Sequence, residues 1–145
     1  MKTCVSMAAT IAVLLSTISC AAQARSPEPV PLDRVECSRC RMLISTEQGG
    51  GQIVSADAET RFYDDVACLA ADWSTHRDHA TAYVRLGSGA WSEAKDASFA
   101  RPAGTQTPMG SGLVAFATIA EARATDAGGS VLGWTEIVAR TGAER

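Results

Sequence analysis

The chain has 145 residues, of which 46% are hydrophobic and 20% are charged, as is usual for one small globular domain. Its formal net charge of −3 comes from 13 Lys and Arg against 16 Asp and Glu. Because no cluster of four or more basic residues occurs, nucleic acid is not an expected partner. The sequence also contains no local signature of a serine hydrolase, a phosphate-binding loop or a His-Glu-x-x-His metalloenzyme. We therefore predict a binding protein and not an enzyme.

The first 24 residues are typical of an export signal. Lys2 supplies the positive charge, and Ala8 to Ile18 is apolar but too short to span a bilayer. Two processing sites compete in this leader. Ala22-Gln23-Ala24 has the form of an ordinary signal-peptidase site, whereas Thr17-Ile18-Ser19-Cys20 is similar to a bacterial lipobox. We favour the second, in which Cys20 is lipidated and anchors the exported protein to a membrane.

Residues 25–34 follow the leader and are rich in proline, which predicts a linker. We expect the folded domain to occupy residues 35–139 and a tail to occupy residues 140–145. Within the domain only Cys37, Cys40 and Cys68 remain. An odd number of thiols in an oxidising compartment leaves at least one thiol outside any intramolecular disulfide.

The segment Cys37-Ser38-Arg39-Cys40-Arg41-Met42 opens the domain and places two thiols and a thioether within six residues. Such soft donors select Cu(I), with zinc and iron–sulfur clusters as competitors that use thiolates alone. A zinc site requires four thiolate or imidazole ligands, and no second Cys or His pair follows, so we favour Cu(I). In an extended segment Cys40 and Met42 point the same way and can share one ion, with Cys37 a further ligand or a bystander. A disulfide between Cys37 and Cys40, redox-active or structural, is the alternative.

The first half of the domain has the pattern of strands around one helix. Leu43-Ile44 is predicted to be a short strand. After the glycines at 49–51, Gln52–Ser55 and Arg61–Tyr63 are predicted to pair, and Thr81–Leu86 to form a further strand. Between them, Asp64 or Asp65 caps a helix that runs to about Thr75. Cys68 lies roughly 150° from the apolar face of that helix, so it is either near solvent or covered by another layer.

The second half repeats this order of elements. Ser98–Ala100 and Gly112–Phe116 are strand candidates, and a capping box at Thr118–Glu121 begins a helix that ends at Gly128-Gly129. Val131–Trp134 is predicted to be a last strand. The order of two strands, a helix and a strand occurs twice along the chain. This repeat predicts an α+β fold of two related ββαβ units.

The chain resembles the NosL family, and three segments in the right order and spacing carry this resemblance. The first is Cys37-x-x-Cys40-x-Met42, and the second is Thr107-Pro108-Met109-Gly110 with the apolar segment that follows it. The third is Gly128-Gly129-Ser130-Val131-Leu132-Gly133-Trp134. In the family a glycine commonly stands between the second cysteine and the methionine, where this chain has Arg41.

The resemblance implies a small single domain of two ββαβ units, distantly similar to organomercurial lyase. It implies a periplasmic chaperone that delivers Cu(I) to nitrous oxide reductase or to the membrane transporter complex that assembles its copper centres. The copper ligands expected from the motifs are Cys37, Cys40, Met42 and Met109. Met109 lies in a turn between Pro108 and Gly110, where filling a gap in a core is not its expected role. His76 and His79 have charged neighbours and are expected on a solvated surface.

Overall fold

The computed structural model describes residues 25–56 and 59–142. The predicted leader, with Cys20, lies outside the described residues. Within the described part of the chain, no helix is both long enough and apolar enough to cross a membrane.

The first half of the domain folds into an antiparallel sheet with one helix. The elements are β1 (Gly51–Ser55), β2 (Arg61–Tyr63), α1 (Val66–His76), β3 (Ala80–Arg85) and β4 (Trp91–Glu93). The strands lie in the order β2-β1-β3-β4. The helix therefore connects the two strands that flank β1. The pairing of β1 with β2 was predicted, whereas the position of β3 on the other side of β1 is a finding of the structure.

The second half repeats that topology with shorter elements. They are β5 (Ser98–Ala100), β6 (Val114–Phe116), α2 (Ile119–Thr125), β7 (Leu132–Gly133) and α3 (Trp134–Gly142). The strand order β6-β5-β7 again places the first strand of the unit between the second and the third, with both pairs antiparallel. The prediction of an α+β fold with two related ββαβ units is confirmed.

The two units share one hydrophobic core. An isolated parallel bridge joins Leu86 to Ala115, and the Gly87 N–H donates to the Ala115 carbonyl at 2.8 Å. The ring of Trp134 packs edge-on against Trp73 of α1 at 6.2 Å between centroids, and against Phe99 of β5 at 6.1 Å. Large aromatic rings bury the most apolar area per residue, so this cluster is a major contact between the halves.

Helix α3 is the main element that the sequence analysis missed. The predicted strand ends at Gly133, and Trp134 begins a helix that continues to Gly142, past the expected start of the tail at residue 140. Trp134 and Ile137, one turn apart, are buried by it. At the other end of the domain, Leu43-Ile44 contributes only a single bridge between Glu36 and Leu43 and not a strand.

The segment predicted as a linker is bound to the sheet. Gln52 of β1 is fully buried, and its side-chain amide donates to the Glu28 carbonyl at 2.9 Å and accepts from the Glu28 N–H at 2.8 Å. The Tyr83 hydroxyl donates to the carbonyl of Arg25 at 3.2 Å. A buried amide requires hydrogen-bond partners, and the backbone around residue 28 provides them. Residues 25–30 therefore do not form the free linker that their prolines suggested.

Glycine at the start of β1 sets the position of α1. A Cβ atom on Gly51 would lie 2.6 Å from the Leu69 side chain and 2.6 Å from the Tyr83 carbonyl oxygen. Only a residue without a side chain allows α1 to approach β1 so closely. The N-terminal turn of α1 is thereby fixed against the sheet, next to the end of β2.

Candidate metal centre

Residues Cys37–Met42 form a tight loop and not the extended segment on which the sequence argument relied. The Cys37 N–H donates to the Met42 carbonyl at 2.8 Å, and the Arg41 N–H donates to the Cys37 carbonyl at 3.0 Å. Arg41 adopts φ = 67°, a left-handed conformation that glycine reaches without steric cost. The prediction that Cys40 and Met42 point the same way in an extended segment is therefore wrong.

This loop is packed onto β2 and α1, which bring two further donors to it. The Ser38 N–H donates to the carbonyl of Phe62 in β2 at 2.8 Å. Asp64 follows β2 directly, and Cys68 lies in the first turn of α1. Cys68 is 5% exposed, so the layer that covers it is the loop itself. The helical periodicity left two positions open for Cys68, near solvent or covered by another layer. The structure shows the covered position.

Four donor groups meet at this point: Cys37, Cys40, Asp64 and Cys68. One ligand atom from each lies within 4.8 Å of all the others. The Cys40 sulfur is 3.4 and 3.5 Å from the two carboxylate oxygens of Asp64. Cys37, Asp64 and Cys68 are buried, whereas Cys40 is only half-buried, and all three thiols are free. We call this group the thiol–Asp64 cluster.

The cluster favours one thiolate among its three thiols. The pKa of Cys37 is lowered to about 4, chiefly because its sulfur accepts a hydrogen bond from Cys68. Backbone N–H groups of Cys40 and Asp64 also donate to this sulfur and lower the pKa further. Burial raises the pKa of Cys40 to about 11, and the negative charge on Cys37 adds to that rise. Donation to Cys37, together with burial, raises the pKa of Cys68. Burial and then Cys37 raise the pKa of Asp64 to about 6.

Three sulfurs and a carboxylate form a complete donor set for one soft or borderline cation. Thiolates suit Cu(I), but three thiolates with one carboxylate also suit tetrahedral Zn(II). The absence of a second Cys or His pair therefore does not exclude zinc, because Asp64 and Cys68 complete a set of four donors. The sequence signal available for these two residues was a carboxylate at the predicted helix start and a cysteine off its apolar face. Among the described residues, neither His76 nor His79 belongs to the cluster.

Asp65, next to the cluster, connects the two halves of the domain. Its fully buried carboxylate caps α1 by accepting from the Ala67 N–H at 2.8 Å. The same carboxylate accepts from the Thr107 hydroxyl at 2.6 Å and from the Met109 N–H at 3.2 Å. Because Asp64 and Asp65 are consecutive, this contact places the backbone of Met109 beside the helix terminus that carries the cluster.

The two methionines of the predicted ligand set are exposed. The side chain of Met42 is 45% exposed and that of Met109 is 48% exposed, which is unusual for large apolar groups. Met42 is linked to Cys37 through its carbonyl, and Met109 is linked to Asp65 through its N–H. Their thioethers as metal ligands, like the ligand roles of Cys37 and Cys40, stay predictions.

The fold and the cluster together define a small α+β protein able to bind a metal ion. The sequence model of the NosL family matches residues 29–141, and the chain therefore belongs to the NosL family. Among solved structures it is similar to the copper chaperone NosL from Shewanella denitrificans, at 21% identity and a TM-score of 0.57. That match covers 79% of this chain and 95% of the other and supports the fold. No curated protein sequence matches the chain.

Proposed function

We propose that this protein is a copper chaperone that binds one Cu(I) and supplies it for the assembly of nitrous oxide reductase. The observation that carries the proposal is the thiol–Asp64 cluster, in which three free thiols converge on one point. Membership of the NosL family supports it, as does the similarity in fold to a protein described as a copper chaperone. Thiolate donors suit both Cu(I) and Zn(II), so the choice of Cu(I) rests on membership of the NosL family and on the similarity to a copper chaperone.

The cluster suits transfer of an ion better than permanent storage. Three of its donors are buried, but Cys40 is half-buried and can be reached by a ligand from another protein. Stepwise replacement of one thiolate at a time moves Cu(I) without any change of oxidation state. This is a binding and exchange process, so we assign no catalytic residue.

The partners and the location extend the same proposal. The acceptor is nitrous oxide reductase or its membrane-bound copper-assembly machinery, in agreement with the family resemblance. The protein acts in the periplasm and is anchored by a lipid on Cys20. Mass spectrometry of the membrane fraction tests the anchor: a lipidated N-terminus at Cys20 supports it, and an unmodified N-terminus at Arg25 contradicts it.

A thiol–disulfide oxidoreductase using Cys37 and Cys40 was the alternative from sequence, and the geometry argues against it. Thiol exchange requires an accessible nucleophile of low pKa. Cys37 has the lowered pKa but is fully buried, whereas Cys40 is more exposed and has a raised pKa. The two properties that the reaction needs are thus divided between two residues. A reversible dithiol couple with reductase activity in the metal-free protein would favour this alternative.

The delivery function is tested by copper transfer. The reduced mature chain is loaded anaerobically with one equivalent of Cu(I) and mixed with copper-free nitrous oxide reductase, with and without membranes that contain the assembly machinery. After separation, the copper content of the reductase is measured, with Cu(I)–glutathione as a control source. We expect faster transfer from the chain than from glutathione. Equal transfer from both sources, or none from the chain, would refute delivery.

A further inference from the structure

A groove that contains none of the residues of the thiol–Asp64 cluster lies between the loop around Met109 and helix α3. Its volume is about 770 Å³, in the range of pockets that hold a small ligand or a few residues of extended peptide. Its floor is formed by Leu113, Leu132 and Ile137, which are at most 2% exposed and so offer almost no surface of their own. The apolar surface that is open to the groove belongs to Met109, which is 48% exposed, and to the partly buried Ala67. This surface offers an apolar side chain a place to be buried.

The walls of this groove are positively charged. Arg101 and Arg140 line it, and no acidic residue does. The Nε of Arg101 donates to the Ser111 carbonyl at 2.9 Å, which orients the guanidinium and leaves its Nη atoms without a hydrogen bond to any described residue. Arg140 pairs with Glu136 at 2.7 Å, but both side chains are about half exposed. An exposed pair of this kind contributes little, so a carboxylate arriving from another molecule can replace Glu136.

The groove is also adjacent to the proposed copper site. Met109 lines it, as does Ala67, the residue before Cys68. The Met109 N–H is held by Asp65, which follows Asp64 of the cluster. A segment bound in the groove would therefore lie beside the N-terminal turn of α1, which carries both Ala67 and Cys68.

We propose that this groove receives an extended segment of the copper-accepting protein that carries an apolar side chain followed by a carboxylate. The apolar side chain packs on Met109 and Ala67, and the carboxylate is bound by Arg101 and Arg140. The identity of the occupant rests on the proposed chaperone function, whereas the preference of the groove for an apolar and acidic segment does not. Binding of such a segment and binding of the acceptor can therefore be tested separately.

The groove is tested first without copper and without the acceptor. The reduced, metal-free protein is titrated with acetyl-Leu-Glu-Leu-Glu-amide and, as a control, with acetyl-Leu-Lys-Leu-Lys-amide, and backbone amide chemical shifts are followed by NMR. We expect the acidic peptide alone to shift the resonances of Ala67, Leu132 and Ile137, and salt to weaken its binding. No shift at these residues, or equal shifts with both peptides, would overturn the proposal. A result at this stage does not depend on copper binding.

The acceptor is tested second, with variants outside the metal cluster. The double variant Arg101→Gln, Arg140→Gln removes both charges, and Arg77→Gln, Arg123→Gln removes two exposed charges elsewhere. We expect the first variant to bind Cu(I) normally but to lose at least about tenfold in affinity for the apo-reductase or its assembly machinery, while the control is unchanged. Equal affinity of the two variants for the acceptor would overturn the proposal. Arg140→Gln alone leaves the contact between Arg101 and the Ser111 carbonyl intact. We expect this variant to lose part of the affinity for the acceptor, which a defect in the loop at Ser111 would not explain.

Discussion

At the scale of single residues, the central feature is the Cys37 thiolate. Cys37 is fully buried, and the cluster still favours its charged form because Cys68 and two backbone N–H groups donate to its sulfur. Hydrogen bonds to a charged group can outweigh the cost of burying it. In the metal-free protein Cys37 is thus already a thiolate, whereas the other two thiols must lose their protons when a cation binds.

This arrangement predicts how the stability of the reduced, metal-free protein depends on pH. Between about pH 6 and pH 9, Cys37 is charged in the folded protein but protonated in the unfolded chain, so the free energy of unfolding rises with pH. Below about pH 6 the raised pKa of Asp64 opposes that rise, and above pH 9 the raised pKa values of Cys40 and Cys68 reverse it. We expect a maximum near pH 9, with a slope below it of at most about 1.4 kcal/mol per pH unit.

Urea unfolding at a series of pH values, with reductant and chelator present, measures this dependence. The Cys37→Ser variant is the control, because it removes the group with the lowered pKa. Its curve should lose the rise between pH 6 and pH 9. A flat curve for the unmodified protein over that interval would contradict the assignment of the thiolate to Cys37.

A second prediction concerns the backbone at Arg41. Its φ of 67° is unfavourable for a residue with a Cβ atom, and its ion pair with Glu36 is largely exposed. Arg41→Gly should therefore raise the free energy of unfolding by about 1 kcal/mol, as measured by urea unfolding. Arg41→Ala keeps the Cβ atom and removes the charge, so it should give no such gain. A gain of the same size in both variants would assign the effect to charge and not to strain.

The residues of the site could be predicted only in part. Cys37 and Cys40 are neighbours in sequence, so their proximity can be read from spacing alone. Asp64 and Cys68 come from elements that are distant in sequence from the Cys37–Met42 loop. The contact between the Ser38 N–H and the Phe62 carbonyl brings them together, and no local pattern encodes it.

At the scale of elements, the N-terminus of α1 organises the site. It supplies Cys68 to the cluster, and its cap, Asp65, holds the loop that contains Met109. The helix was predicted well, because its apolar spacing and its acidic cap are both local signals. Helix α3 was missed because Trp134 follows a strand pattern directly, and its role in packing depends on Trp73 and Phe99 elsewhere in the chain.

A prediction at this scale concerns the hydrogen bond between the Thr107 hydroxyl and the Asp65 carboxylate. Thr107→Val removes the hydroxyl that donates to the buried carboxylate at 2.6 Å. Because hydrogen bonds to charged groups contribute about 1.5–3 kcal/mol, we expect the free energy of unfolding to fall by about 2 kcal/mol. Thr105→Val, in the same segment, is the matched control and should change it by less than about 0.5 kcal/mol. The free energy of unfolding is measured by urea unfolding. Equal losses in both variants would show that the hydrogen bond between Thr107 and Asp65 does not stabilise the fold.

At the scale of the whole molecule, the packing of the two ββαβ units places the thiol–Asp64 cluster of the first half next to the Met109 loop of the second half. The first half carries the thiol–Asp64 cluster, and the second half contributes the loop around Met109 and the floor of the groove. The order of elements could be predicted from sequence because each strand and helix has a local pattern. The way in which the halves meet could not, since it depends on the single bridge at Leu86 and on aromatic packing around Trp134.

We expect the thiol–Asp64 cluster to bind Cu(I) in preference to Zn(II), and a competition titration measures this preference. The reduced mature chain is titrated anaerobically with each metal against chelators of known affinity. We expect one Cu(I) per chain, tighter binding of Cu(I) than of Zn(II), and a loss of at least about tenfold in Cu(I) affinity on Cys37→Ser, Cys40→Ser or Cys68→Ser. His79→Ala, outside the cluster, should leave the affinity unchanged, and Met42→Leu and Met109→Leu report whether the thioethers contribute. Tighter binding of Zn(II) than of Cu(I), or Cu(I) binding that survives all three cysteine changes, would show that the cluster is not a Cu(I) site.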